Sequence, residues 1–451
     1  MSNRIFITKI SVRALFGQLS YDLLLEGQGE DPANQVSIFY GDNGSGKTTI
    51  LKLLYHLLSP IDSKGHKSFL VSTPFNFFSV LFNNGKSIVA HRHHGAITGT
   101  LTLELRQNDK LEQTLPLKVE EDGGVRMNAY PQLQKQIFDF LHALELLDVE
   151  LFFLRDNRFF SSSFDDSSAE IDSGRNRTAA QLEMRYKMQI LEQNVGTEQH
   201  MQNGALEEAI RNVEMYFRGL TLQGSSRGEG DVNNIYATVI KQLIQTQGQI
   251  EKPQANEISN YVGKLGELAE KSKSYVELGL TTPLLFKELS ASLATVESRY
   301  EEPIINLLKP YIEGVEARLS ALSDAKETIA TFLASLNTYL VNKRVIFQIE
   351  TGLTIVRSDG EELAPSCLSS GERQLLFIFC RIMGPKPRSS IFIIDEPEIS
   401  LNVKWQRSLI ANLLQCTKRA PMQFLFASHS IELLTQYRQR VTTLQNIETV
   451  K

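Results

Sequence analysis

Residues Gly41-Asp42-Asn43-Gly44-Ser45-Gly46-Lys47-Thr48 fit the pattern G-x-x-x-x-G-K-[ST], and nothing else in the 451-residue chain restricts its fold as strongly. Such a loop works as the link between a strand and a helix. Its glycines let successive backbone N–H groups curl inward, and the helix that follows adds the positive end of its dipole. The flanks agree. Val36-Ser37-Ile38-Phe39-Tyr40 reads as a buried strand. The helix expected from Thr48 carries Leu51, Leu54 and Leu58 on one side and stops at Pro60. The chemistry this pattern predicts is polyphosphate binding by Gly41, Asn43, Gly44, Ser45, Gly46, Lys47, Thr48 and Thr49. Lys47 would reach the β- and γ-phosphates of ATP, and the Thr48 hydroxyl would bind Mg2+.

Strands dominate the rest of the N-terminal part. Phe77–Phe82, an Asn84-Gly85 turn and Lys86–Arg92 predict a hairpin. Thr100–Leu105 and Leu115–Val119 extend the antiparallel meander, and Val149–Leu154 is a further apolar strand. Residues 161–177 are polar and read as a linker. From 178 to 340 the spacing is helical, with a second polar loop at Gly224–Asp231. The last helical run places Ile312, Val315, Leu319, Leu322, Ile329, Leu333, Leu336 and Leu340 along one face, as a bundle helix or a short coiled-coil arm would. Strands return at Arg344–Ile349 and then Leu353–Arg357, with a turn at Ser358-Asp359-Gly360. A strand, a helix from Leu401 and a strand at Gln423–Ser428 follow. An α/β unit therefore begins, is interrupted by helices and is completed at the C-terminus, giving segments 1–160, 161–177, 178–340 and 341–451.

Three more motifs lie in the C-terminal part. Ser390-Ile391-Phe392-Ile393-Ile394-Asp395-Glu396 is an apolar strand ending in two carboxylates. Asp395 would hold Mg2+ through its water shell, and Glu396 would orient and deprotonate an attacking water. Leu368-Ser369-Ser370-Gly371-Glu372-Arg373-Gln374 opens a helix just before that strand. This segment resembles the signature sequence of ATP-binding-cassette (ABC) ATPases, in the variant of the SMC, RecF and OLD-like branch. Pro397-Glu398-Ile399-Ser400-Leu401-Asn402 is similar to the D-loop of that branch, with Asn402 where a histidine is common. Ala427-Ser428-His429-Ser430 resembles its switch-histidine motif, with His429 as γ-phosphate sensor.

The resemblance implies a fold: an α/β ABC ATPase head, a mixed sheet with a P-loop core and an antiparallel N-terminal meander, interrupted by an α-helical insertion. It also implies that Ser369, Ser370 and Gly371 cap ATP held by a second head, so the active unit is a head-to-head dimer or a larger oligomer. Asn402 would contribute at the same junction. Leu154-Arg155-Asp156-Asn157-Arg158 stands where the family places its Q-loop, as a coupling loop or a plain solvated one. Arg13 and Phe16 stand where the family often contacts the base, and Phe16 also suits a core position.

Charge and cysteine usage narrow the role. A net charge of -5 provides no global basic field for nucleic acid or an anionic membrane, although DNA binding stays open. Cys367, Cys380 and Cys416 form no C-x-x-C pair, so neither a disulfide framework nor a zinc hook is expected. In the run His91-Arg92-His93-His94, neighbours point to opposite faces and no carboxylate or cysteine stands at ligand spacing, so no metal is expected there. No signal peptide or membrane span is read, and a cytoplasmic protein is expected.

The insertion is too short for chromosome-organising coiled-coil arms, and the tail after His429 too short for the TOPRIM nuclease of OLD-type proteins. The chain is similar in these respects to ATPase subunits of anti-phage defence systems. Tyr40-Gly41-Asp42-Asn43-Gly44, Leu57-Leu58-Ser59-Pro60 and Gly65-His66 resemble the AriA-like group of PARIS, with the PtuA-like group of Septu next. That resemblance implies a scaffold that holds a separate nuclease or TOPRIM-type effector until a phage-encoded trigger protein appears. The alternative is a RecF-like DNA-repair clamp.

Overall fold

The computed structural model describes residues 4–25, 34–61, 65–93, 95–119, 125, 133–154, 160–162, 204–225, 257–295, 301–384, 386, 388–399, 401–418 and 422–447. The chain forms two compact units, Met1–Gln202 with Lys386–Lys451, and Asn203–Pro385.

The first unit opens with β1 (Ile7–Leu15), β2 (Leu19–Leu24), β3 (Asn34–Tyr40), α1 (Lys47–Leu58) and α2 (His66–Ser72). It continues through β4 (Phe77–Phe82), β5 (Lys86–His91), β6 (Leu101–Gln107), β7 (Lys110–Leu117), α3 (Gln134–Glu145), β8 (Val149–Leu154) and β9 (Phe160–Ser162). The second unit holds α4 (204–225), α5 (Glu257–Glu277), α6 (Phe286–Leu293), α7 (Glu301–Ala321), α8 (Ser323–Asn337), β10 (Lys343–Gln348), β11 (Gly352–Arg357), β12 (Glu362–Leu363) and α9 (Ser370–Met383). The chain then returns to the first unit with β13 (Ser389–Asp395), α10 (Val403–Cys416), β14 (Met422–Ala427), α11 (Ile431–Gln436) and β15 (Val441–Thr443).

Two sheets build the first unit. One is antiparallel, in the order β2-β1-β4-β5-β6-β7; the other runs β15-β3-β14-β13-β8-β9 and is parallel except for β9. Helix α1 shares one core with both, where Ile10 and Val12 meet Ile50, Leu54, Leu151, Ile391 and Leu425. The sequence gives α1 a single apolar side; the structure buries Ile50, Leu51, Leu53, Leu54, Tyr55 and Leu57 together, because the helix is enclosed rather than laid on a surface. All six residues of β14 are buried, as a central parallel strand covered on both faces requires. Phe152 stacks on Phe392 at 4.5 Å, and Phe392 lies 5.6 Å from Phe424 on the next strand.

Two details of the meander differ from expectation. Strand β7 begins at Lys110 rather than Leu115, because Asn108 (φ 48) and Asp109 (φ 64) make the left-handed pair of a tight hairpin turn. The β5–β6 pairing also brings a carboxylate to the histidine run: His91 Nε2 lies 3.0 Å from Glu104 Oε1, and Glu104 also pairs with Arg106. Arg92 is buried and donates to the carbonyls of Leu70, Val71, Thr73, Phe75 and Gly99, so it ties α2 to the meander. His94 lies outside the described residues.

The second unit is a small bundle with an antiparallel sheet, β10-β11-β12. The expected last helix is two helices, α7 and α8, interrupted at Leu322. That residue keeps right-handed dihedrals (φ -89, ψ -5), so the apolar face carries on across the break. Helix α8 joins β10 through Asn337, whose side chain accepts from Val345 N at 2.7 Å and donates to Val345 O at 2.9 Å. Helix α4 runs to residue 225, so Gly224 and Ser225 are helical rather than part of a loop. Of the expected linker, Ser161 and Ser162 belong to β9; the rest of it and 226–231 lie outside the described residues. Among the described residues no helix is long and apolar enough to cross a membrane.

Candidate nucleotide site

Strands β3, β14 and β13 are adjacent and in register, with Phe39 opposite Ala427 and Ala427 opposite Asp395. Their carboxyl ends therefore release three loops side by side: the glycine-rich loop, the Asp395-Glu396 segment and the His429 loop. In open parallel sheets this is the edge where ligands bind.

The glycine-rich loop is shaped by two left-handed glycines, Gly44 (φ 80) and Gly46 (φ 86). Ser45 N bonds to Asp42 O at 3.1 Å, and Ile50 N to Gly46 O at 2.8 Å, which carries the turn into α1. Buried Tyr21 supports the loop from below, donating its hydroxyl to Ser45 O at 3.0 Å. Lys47 is buried, and its Nζ donates to Gly41 O at 2.7 Å and Asp42 O at 3.1 Å. Burial pushes its ammonium below the usual lysine range, against the pull of Glu396, Asp395, Asp42 and Glu398. Carboxylates from the end of β13 thus converge on the lysine of the loop after β3.

The residues present fit a polyphosphate with Mg2+. Helix α1 has no side-chain cap and no acidic residue in its first turn, so its N–H groups remain available to an anion. Ser45 Oγ is buried without a partner among the described residues, and a Cβ on Gly44 would meet nothing within 4 Å. Half-buried Thr48 and buried Asp395 could hold the cation. No group of three or more His, Cys, Asp or Glu among the described residues could hold a metal by itself. Phosphate oxygens and water would supply the remaining ligands, which is the way Mg2+ is commonly bound.

Glu396 has a left-handed backbone, φ 48, and its N–H donates to Ala427 O at 2.9 Å. Such a conformation is uncommon outside glycine and asparagine, and it aims the chain away from the strand immediately after Asp395. Glu398 then reaches the neighbouring loop. Its Oε1 accepts from Ser428 Oγ at 2.9 Å, His429 N at 2.7 Å and Ser430 N at 3.1 Å. His429 is half-buried at the end of β14. Helix α10 starts at Val403 rather than Leu401, because Leu401 N turns back onto Glu398 O and exposed Asn402 serves as N-cap, accepting from Trp405 N at 3.0 Å.

Ser369, Ser370 and Gly371 belong to the second unit, where they form the N-terminus of α9. Ser369 and Glu372 make a reciprocal capping box: Ser369 N donates to Glu372 Oε2 at 2.8 Å, and Glu372 N to Ser369 Oγ at 3.4 Å. Lys343 Nζ donates to both Glu372 oxygens, at 2.9 and 2.8 Å. Burial alone would raise the Glu372 carboxyl; the bonds from Lys343 and Ser369 outweigh it and hold the group below the usual carboxylate range.

Of the weaker candidates, Arg13 is committed to Val12 O, Tyr21 O and Asp22. Phe16 is 45% exposed, and its ring lies 3.7 Å from where a Cβ on Gly46 would stand, so it borders the glycine-rich loop instead of joining the core. Arg155–Arg158 lie outside the described residues. Sequence reasoning missed Tyr21, Lys343 and the bonds of Glu398. Only Glu398 carried a local signal, a third acid three residues after Asp395.

Residues 239–435 match the family model described as "AAA domain, putative AbiEii toxin, Type IV TA system". No curated protein matches the chain. Among solved structures it is similar to the Smc head domain of Pyrococcus furiosus, with an extended coiled coil and bound to the C-terminal domain of ScpA. That likeness has 13% identity over 96% of this chain and 92% of that one, at a TM-score of 0.39. An SmcHead bound to the C-winged helix domain of ScpA follows, with 10% identity, 96% and 91% coverage and a TM-score of 0.34. At those scores the superposition is loose, and the nucleotide chemistry stands on the site's own geometry. Over residues 239–435, which include the α9 cap, Asp395, Glu396 and His429, the chain is similar to an AAA-type ATPase domain.

Proposed function

We propose that this chain hydrolyses ATP, working head to head with a second copy of itself as the sensor and scaffold of a complex whose effector is a separate protein. The observation that supports it best is the convergence of Lys47, Asp395, Glu396 and Glu398 at the carboxyl edge of three adjacent parallel strands. Bound Mg2+ would neutralise charge on the phosphates. Lys47 and the first N–H groups of α1 would hold the β- and γ-phosphates, with Thr48 and Asp395 beside the cation. Glu396 would take the proton of the attacking water, and His429 would bond the γ-phosphate. Phe16 offers an exposed ring beside the loop for the base. The N-terminus of α9, with Ser369, Ser370 and Gly371, would cap the γ-phosphate on the second copy, beside Asn402.

The effector we favour is a nuclease or TOPRIM-type protein in an AriA-like or PtuA-like anti-phage system. That reading rests on the resemblance of Tyr40–Gly44, Leu57–Pro60 and Gly65-His66 to the AriA-like group. Phosphate release by purified protein tests the enzymatic part. Glu396→Gln is expected to lower kcat by about 10²–10⁴-fold while ATP still binds, whereas Lys47→Ala should abolish binding. Turnover by Glu396→Gln at the wild-type rate would remove Glu396 from the role of base.

A further inference from the structure

We infer that Glu398 is a positioning residue for this site: its carboxylate fixes the His429 loop against the segment that carries Asp395 and Glu396. The inference rests on the ATPase reading above. A single oxygen, Oε1, accepts three hydrogen bonds from three consecutive residues, Ser428, His429 and Ser430. Two of these come from main-chain N–H groups, so the bonds fix the backbone on which the imidazole is mounted. The arrangement closes into a ring. Ser430 N also bonds to Ser428 Oγ at 3.0 Å, and Ser430 Oγ donates to Gln406 Oε1 at 2.7 Å. Gln406 Nε2 returns to Leu401 O at 2.9 Å, on the same segment as Glu398. Hydrogen bonds therefore tie Glu398 and Leu401, the residues Ser428–Ser430 and the first turn of α10 to one another.

The chemistry explains why the residue is an acid. A charged acceptor makes shorter and stronger bonds than a neutral one, and three donors converge here within 3.1 Å. An apolar side chain here would leave those three donors unpaired, so stability and position both depend on the carboxylate, and the test below reads both. Its other oxygen, Oε2, is buried with no partner among the described residues. What the carboxylate supplies is a fixed position for His429. Catalytic geometry is sensitive at this scale, and a displacement of about 1 Å at a reacting group can lower a rate by about 10²-fold.

The test is a double-mutant cycle on full-length protein, read as kcat, affinity for a fluorescent ATP analogue, and thermal midpoint. Glu398→Ala is expected to lower kcat by about 10²-fold while the analogue binds as before. Glu398→Gln keeps a carbonyl oxygen that can accept the same three bonds, and should restore most of the rate. In a His429→Ala background, Glu398→Ala should cause no further loss, because both changes remove one function. If Glu398→Ala does not fold, Ser428→Ala, which removes one of the three bonds, takes its place in the same cycle. The inference is overturned if the alanine variant keeps wild-type kcat, if glutamine is as slow as alanine, or if the losses multiply in the His429→Ala background. Absence of any wild-type turnover would instead sink the ATPase reading itself.

Discussion

At Gly46 the backbone turns through φ 86, and a methyl group added there would stand 2.8 Å from Leu15 Cδ2 inside the core. Gly46→Ala therefore meets two obstacles, and the left-handed conformation alone costs about 1–2 kcal/mol. We expect a lower urea midpoint together with weaker ATP binding, since the loop must shift where its N–H groups face the phosphates. An unchanged midpoint would mean that Leu15 yields and that the loop holds its shape by other contacts. Glu396 also adopts a left-handed conformation, φ 48, without the freedom of glycine. Gly46 announced itself through the G-K-T pattern, whereas nothing in Ile394-Asp395-Glu396-Pro397 shows that the glutamate is the residue that bends. Such strain is imposed by the neighbouring strand, here through the bond from Glu396 N to Ala427 O, and pairing between distant strands leaves no local trace.

Helix α9 shows what is legible at the scale of an element and what is not. Ser369 and Glu372 stand three apart ahead of an apolar run, which is enough to expect a capped helix start. Lys343, 29 residues upstream, is beyond such patterns, yet it bonds both Glu372 oxygens. The Glu372 carboxyl is held below its ordinary value, so its stabilising contribution is full above the usual glutamate range and is lost as pH falls through the lowered folded value. Urea titrations from about pH 7 down to pH 3 should show wild type losing part of its stability at the acid end. Glu372→Gln should start lower, by about 1 kcal/mol for the weakened cap, and show a shallower acid dependence. Parallel curves would mean that the charge on Glu372 contributes nothing to the fold. Elsewhere the apolar spacing read α7 and α8 as one helix, because the stripe continues through the break at Leu322. The start of β7 was missed because Asn108-Asp109 is a weaker turn signal than Asn84-Gly85.

For the whole molecule, strands do return after the helical stretch, but the first of them, β10 and β11, belong to the second unit, and the chain rejoins the first unit only from Lys386. The order of its strands was not readable. Periodicity says which residues face a core, but nothing in it tells β14 to lie between β3 and β13. That placement is what brings Lys47, Asp395 and His429 to one edge, while Ser369 and Gly371 belong to the other unit. If the α9 terminus serves ATP on a second copy, binding without hydrolysis should join chains. Light scattering of Glu396→Gln with ATP and Mg2+ should then give a mass of at least two chains, and the same protein without nucleotide a smaller one. Ser369→Arg should prevent the increase while each chain still binds ATP, because it places bulk and charge at an exposed helix terminus and leaves the residues of the glycine-rich loop unchanged. If Ser369→Arg assembles as Glu396→Gln alone does, the α9 terminus lies outside the junction, and the two copies must meet through some other surface.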